Sequence, residues 1–273
     1  MMKKGSKKLN NYLIIGAVMA GVILILSILS LFWTPYSPTA MSAALKFKPP
    51  SFAHPFGTDN FGRDIFSRVM KAIGTSFLIS VFVVLMSSVL GILIGAVTGY
   101  FGGLVDTVVM RIVDAVNGFP SILLALVVIS VLGKGRANVV VALGIAFTPS
   151  FVRIVRGEFI RLRDADYIVR ARLMGASKPR ILFLHILPNI FSVFWVSVMI
   201  GFNNAILAET GLSYLGIGVQ APDATLGSML SDAQGYLGTS PWYALAPGIT
   251  IVWMVLAAAM LSEGISRRKK SQM

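Results

Sequence analysis

The sequence predicts an all-α, polytopic membrane protein of six transmembrane helices, and three observations carry that prediction. Hydrophobic residues fill 56% of the 273 positions and charged ones only 13%, against about a quarter charged in soluble domains. Apolar runs long enough for a spanning helix, roughly 20 residues, recur along the chain. Lysine and arginine are then shared unequally between the two sides that those runs define. The formal charge of +13 fits cytoplasmic retention of basic residues; nucleic-acid binding is an inference for soluble basic domains. With no cysteine, disulfides and thiolate metal sites are excluded.

The elements follow in order. Residues 1–11 form a cytosolic N-terminus, and the first span is Tyr12–Trp33, closed by Thr34-Pro35. Its 22 residues exceed the ~7–15 of a signal-peptide core, which predicts an uncleaved anchor. Residues 34–75 form an extracytoplasmic segment. The second span is about Ser76–Tyr100, ended by "YFGG", and the third about Val105–Leu132. The fourth, about Val139–Val155, contains Pro149, whose missing backbone bond neighbouring helices can repair. The fifth is about Ile190–Ala208 and the sixth about Trp242–Ser262, so residues 76–264 make a five-span core before a basic tail at 265–273. No fixed-period repeat and no low-complexity linker divides the chain, which predicts one domain.

With the N-terminus inside, the cytosolic side receives Lys3, Lys4, Lys7, Lys8, Arg111, the eight basic residues from Arg153 to Arg180, and Arg267, Arg268, Lys269 and Lys270. The outer side receives Lys46, Lys48, Arg63, Arg68, Lys71, Lys134 and Arg136. Seventeen against seven puts both termini in the cytosol.

That orientation makes residues 156–189 a cytosolic loop. "DADYIVRARLMGASKPRILFLHILPN" within it predicts a helix-turn-helix. Asp164 suits an N-cap, and Asp166 in the first turn favours the helix dipole. Tyr167, Ile168, Ala171 and Met174 then fall on one apolar stripe, flanked by Arg172 with Arg170 off it. Gly175 stands where a C′ residue takes a left-handed conformation. Ser177 can cap the next helix, with Pro179 in its first turn, and Pro188 marks re-entry into the membrane. On geometry alone the first helix could meet lipid headgroups. It could equally sit in a groove on a soluble partner with its stripe inward, where small Ala171, Gly175 and Ala176 permit close approach.

The residues resemble the coupling loop of importer-type ABC permeases, whose pattern is E-A-A-x3-G-x9-I-x-L-P. Aligned on Gly175, the chain has Ala171, Leu187 and Pro188 in register, with Val169, Arg170 and His185 replacing the Glu, the first Ala and the Ile. "HILPN" resembles the dipeptide, oligopeptide and nickel branch. So do "HPFGTDNFGRDIFSRV" (His54–Val69), "RIVDAVNGFPSILLAL" (Arg111–Leu126) and "LAETGLSYLGIGVQAPDATLGSML" (Leu207–Leu230). The resemblance covers nearly the whole chain. It implies a type I-like permease in a bacterial or archaeal plasma (inner) membrane, forming half of a pathway for small peptides, nickel or a metal chelate. It also implies a heterodimer with a second permease, two ABC ATPases carrying ATP and magnesium, and an extracytoplasmic solute-binding protein. The residues implied at the ATPase contact are Asp166, Tyr167, Ala171, Arg172, Gly175, Ala176, Leu187 and Pro188.

Other residues allow narrower readings. His54, Asp59 and Asp64 could be imagined as metal ligands, but "GTDNFG" is turn chemistry and Asp64 can cap the helix leading to the second span. Gly211, Gly216 and Gly218 interrupt an apolar outer segment that could be partly re-entrant. Arg111 and Asp114, three apart, can pair. Asn117, Asn203 and Asn204 lie deeper and must find partners across helices or water, which makes them candidates for lining a path. No GxxxxGK[ST] phosphate loop is present, so energy would arrive from a partner rather than from ATP bound by this chain. An intramembrane enzyme would want histidine, serine or paired carboxylates in the spans; neither histidine is in one, and no HExxH occurs. An ion-coupled secondary transporter or passive channel is the alternative, but a carrier would place acids at mid-membrane, whereas Asp114 and Glu209 sit near ends.

Overall fold

The computed structural model describes residues 11–270, so Lys3, Lys4, Lys7 and Lys8 lie outside the described residues. Helices α1 (Asn11–Phe32), α2 (Ile65–Phe101), α5 (Arg136–Arg163), α8 (Leu187–Tyr214) and α10 (Pro241–Lys270) are each long and apolar enough to cross a bilayer. Between them lie α3 (Gly103–Asn117), α4 (Ser121–Leu132), α6 (Asp166–Leu173), α7 (Lys178–Arg180) and α9 (Leu226–Ala233). Among the described residues the only β pairing is an isolated bridge between Thr58 and Asp64.

The expected third span, Val105–Leu132, is broken. α3 and α4 are bent by 89° across Gly118-Phe119-Pro120, and they make a sixth crossing only when taken as one bent element. Proline has no N–H to donate and disfavours helical geometry at the residue before it, which ends α3. The Gly118 N–H closes the helix onto the Asp114 carbonyl at 2.9 Å. The fourth span is longer than its apolar run: α5 passes through Pro149 and continues past Val155 to Arg163.

The chain divides into two compact units, residues 1–75 with 224–273, and residues 76–223. In the first, α1 and α10 approach backbone to backbone. A methyl on Gly16 would come within 2.7 Å of the Leu261 nitrogen, and one on Gly264 within 2.7 Å of the Leu13 Cα, so only glycine permits this contact. The "GTDNFG" stretch is the turn its composition predicts, with Gly57 and Gly62 at φ +72° and +73°. Asp64 caps α2, accepting from the Ser67 N–H and hydroxyl, both at 2.7 Å. α9 starts in a reciprocal capping box between Thr225 and Ser228.

In the second unit, Gly91, Gly95 and Gly99 recur every fourth residue and so face one way from α2. They receive Phe151, Val155 and Phe159 of α5. Ile79, Val83, Ala125, Ile129, Leu143, Ala205 and Leu212 fill one core of this unit. A separate core of Val155, Phe159, Ile168, Ile181, Ile186 and Ile190 lies beneath the predicted loop.

Candidate coupling element and pathway residues

α5 does not run directly into α6. Asp164 closes α5 at φ −105°, donating its N–H to Leu162, and Ala165 is extended. The N-cap of α6 is therefore Ala165, which has no capping side chain; the expected role of Asp164 is not realised. Asp166 occupies the first turn as its charge favours. The far end of α6 is fixed more firmly. Gly175 has φ +83°, its N–H donates to the Arg172 carbonyl at 3.0 Å, and the Ala176 N–H donates to the Ala171 carbonyl at 3.0 Å. This pair of bonds is the Schellman closure, which satisfies carbonyls that a helix end otherwise orphans. Arg172 reaches back to the Arg163 carbonyl at 3.4 Å, tying α6 to the end of α5.

After α7, residues Ile181–Ile186 widen into a π-helical stretch that leads straight into α8. The cause is Pro188: it has no N–H for the Leu184 carbonyl and its ring crowds that oxygen, whereas a wider turn lets the Leu187 N–H bond Leu182 instead. Asn189 donates to the His185 carbonyl at 2.6 Å and to the Tyr167 hydroxyl at 3.3 Å, joining α8 to α6.

The apolar stripe of α6 divides between two environments. Ile168 is 0% exposed and Ala171 is buried, both within the chain's own core, while Tyr167 is exposed and Met174 is 82% exposed. Ala176 and Leu187 also pack against that core, and Pro188 is exposed. The expectation that the whole stripe faces a partner is corrected, because an isolated eight-residue helix is marginal and needs tertiary burial. Burying an isoleucine such as Ile168 contributes about 1.5–3 kcal/mol. The outward face is instead Val169, Leu173 and Met174, with Leu173 83% exposed. Gly175 has open space around its missing Cβ.

Two ion pairs fasten α3 to α5 above this element. Arg156 grips Asp106 with Nε to Oδ1 at 2.5 Å and Nη2 to Oδ2 at 2.6 Å, and Arg153 holds Asp114 at 2.7 Å. The expected Arg111–Asp114 pair is thus replaced by one between helices. An i,i+3 pair is worth only about 0.2–0.5 kcal/mol, so a guanidinium arriving from α5 prevails readily. Arg111 is exposed.

The asparagines are dispersed. Asn117 is exposed at the end of α3, Asn204 is exposed on α8, and Asn203 turns its Oδ1 into the protein interior without a hydrogen-bond partner there. Glu209 is fully buried on α8 and accepts from the Ser213 hydroxyl at 2.7 Å. α8 continues to Tyr214 through Gly211, and Gly216 turns the chain at φ +73°. The metal reading of His54, Asp59 and Asp64 is not supported: Asp64 is spent on its cap and His54, Asp59 on the Phe61 and Arg63 N–H groups and the Arg63 side chain. Among the described residues no group of three or more His, Cys, Asp or Glu could hold a metal.

Among the described residues, five helices long and apolar enough to cross a membrane, one bent helix pair and the capped α6 define a polytopic α-helical membrane protein. Comparison with known proteins gives its family. Residues 91–271 match the family described as binding-protein-dependent transport system inner membrane component, and the chain belongs to it. It is 36% identical to a dipeptide transport system permease, DppC, of Alkalihalophilus pseudofirmus, over 94% of this chain and 85% of that protein. It is 39% identical to a putative peptide transport system permease of Brucella suis biovar 1, over 92% and 84%. It is 38% identical to the glutathione transport system permease GsiD of Pectobacterium atrosepticum, over 91% and 84%. Among solved structures, an inward-facing form of the MetNI methionine ABC transporter shares the fold, with TM-score 0.57 at 18% identity over 73% of this chain and 93% of that one. The chain is therefore an ABC importer permease of the peptide branch, a transport subunit and not an enzyme. Membership of a binding-protein-dependent family implies ATPase subunits and a solute-binding protein as partners.

Proposed function

We propose that this chain forms half of an inner-membrane pathway for small peptides, completed by a second, different permease chain. Both termini lie in the cytosol, as the basic-residue asymmetry favours. Two ATPase subunits bind ATP and magnesium, and closure of their dimer moves the element 164–188, with the outward face of α6 as the contact. The spans then switch between outward and inward openings, a rigid-body change driven by different contacts in the two states. Relatives named for dipeptide, peptide and glutathione transport support peptides as cargo. Asn117, Asn203 and Asn204 are the polar groups proposed for the pathway.

The observation that carries this reading is the build of α6. Its inner face is locked by Ile168 and Ala171, its C-terminal end is closed by Gly175 and Ala176, Arg172 ties it to α5, and Leu173 and Met174 are left in the open. A helix so held transmits a push instead of deforming. Asp166 and Tyr167 sit at the entry to the same contact.

The natural chain has no cysteine, so single-cysteine variants report cleanly. In the assembled transporter, Leu173→Cys and Met174→Cys should crosslink to cysteines placed on the co-expressed ATPase, with yields that change when ATP is added. Absence of crosslinks from Val169→Cys, Leu173→Cys and Met174→Cys alike overturns the assignment.

A further inference from the structure

An unusual grouping of charge lies in the unit made of residues 1–75 and 224–273. Arg63 and Arg68, on either side of the start of α2, have side chains only 11% and 5% exposed. Asp59, fully buried, holds Arg63 Nε at 2.6 Å and lies 3.6 Å from Arg68 Nε. Arg68 also donates to the Pro38 carbonyl at 3.3 Å. One buried anion thus serves two buried cations.

The second anion, Asp232 near the end of α9, stands off. Its Oδ2 is 3.9 Å from Arg63 Nη2 and 3.8 Å from Arg68 Nη2, beyond hydrogen-bond range. Arg63 Nη2, on the side of Asp232, is thus a buried donor without a hydrogen-bond partner, and so is Arg68 Nε, which stops 3.6 Å short of Asp59. Leaving such groups unpaired is costly, most of all when they are charged. Asp232 gains little in return: burial pushes its carboxyl above the usual range, outweighing the pull of Arg68 and Arg63. It is also 45% exposed, so it can move outward.

The surface beside this pair is basic. The Phe47 N–H donates to the Asp59 carbonyl at 3.1 Å, and its ring packs on Tyr236 at 4.9 Å, which stacks on buried Tyr243. Phe47 holds φ +52°, a conformation costly for a bulky side chain, and its neighbours Lys46 and Lys48 are left exposed.

We propose that Arg63 and Arg68 are a receptor for an acidic side chain of the extracytoplasmic solute-binding protein, which takes the place of Asp232 on the two guanidinium groups. A carboxylate free to approach makes bonds of about 2.7–2.9 Å to arginine, which Asp232 does not reach from α9. The adjacent Lys46 and Lys48 favour a protein surface carrying several acids over the single terminal carboxylate of a peptide. This inference rests on the importer reading and on the outward placement of residues 34–75.

The test is binding of the cognate solute-binding protein to the complete transporter in nanodiscs. Asp232→Asn removes the internal competitor and should tighten Kd by roughly three- to tenfold. Arg63→Gln should weaken it more than about tenfold, and Lys46→Gln with Lys48→Gln should flatten its salt dependence. Unchanged or weaker binding by Asp232→Asn overturns the proposal. So does an Arg63→Gln variant that docks normally yet loses uptake of a free-carboxylate peptide relative to its amide, because the acid is then the cargo's. If the wild-type transporter needs no binding protein, the importer reading falls as well; if it does and Asp232→Asn changes nothing, this inference alone falls.

Discussion

Arg156 donates from both Nε and Nη2 to the Asp106 carboxylate, at 2.5 and 2.6 Å, and this joins α3 to α5 two turns before α5 ends at Arg163. Both side chains are partly exposed, so the pair is discounted for solvent screening. Asp106→Asn should still cost roughly 1–2 kcal/mol, since one partner of a charge-assisted fork is lost. Thermal unfolding of the purified chain in detergent reads the loss. A charge exchange, Asp106→Arg with Arg156→Asp, should recover part of it; no difference between Asp106→Asn and wild type would mean the pair is idle.

The glycine face of α2 predicts a size limit. A methyl on Gly95 would lie 2.8 Å from the Val152 carbonyl and from Val155 Cβ, and one on Gly99 2.7 Å from Phe159 Cβ. Gly95→Val should therefore destabilise by about 1–3 kcal/mol through overpacking. Gly157, on the same α5, has nothing within 4 Å. There Gly157→Ala should be neutral or stabilise by up to about 1 kcal/mol, because the helix favours alanine. Melting temperatures of the two variants decide the matter, and equal shifts would refute the packing account.

Gly175 predicts a conformational limit and no steric one. Its φ of +83° strains any side chain, yet a Cβ there meets open space. Gly175→Val should cost about 1–2 kcal/mol locally and sharply lower ATP-driven uptake in proteoliposomes at equal protein abundance. Gly175→Asn, which tolerates the left-handed region, should retain most of it. Normal transport by Gly175→Val would remove the cap from the mechanism.

Asp232 predicts a pH dependence. Burial raises its folded-state pKa above the ordinary 3.8, against the attraction of Arg68 and Arg63 and with the repulsion of Asp59. The folded form then holds the proton more tightly than the unfolded chain. Its contribution is fully present below about pH 3.8 and is lost as pH rises through the folded value. Asp232→Asn should remove that part of the slope, so melting temperatures of variant and wild type should differ by an amount that changes with pH upward from about 4. A constant difference across that window would contradict the shift.

Much of the fold was legible in the sequence because it was written as hydropathy. Five of the six expected apolar runs coincide largely with long apolar helices, and the turn at Gly175 followed from one glycine at a helix end. Three features needed the structure. The break at Pro120 was hidden inside an apolar run, where the proline signal competes with the hydropathy that suggests one continuous span. The division of the α6 stripe could not be read because periodicity shows which residues share a face, not what covers that face: Ile168 and Met174 share a stripe and lie in opposite environments. Arg153 displaced Arg111 as the partner of Asp114 because contacts between helices leave no local spacing. The Gly91, Gly95 and Gly99 seam does carry a readable signal, small residues at every fourth position in "GILIGAVTG".

The kink at Pro120 has a consequence for the surrounding lipid. α4 has 12 residues and rises about 18 Å, whereas the hydrocarbon layer is about 30 Å deep. Taken alone α4 falls short of that depth, so the lipid beside it must thin or the bent α3 must make up the difference.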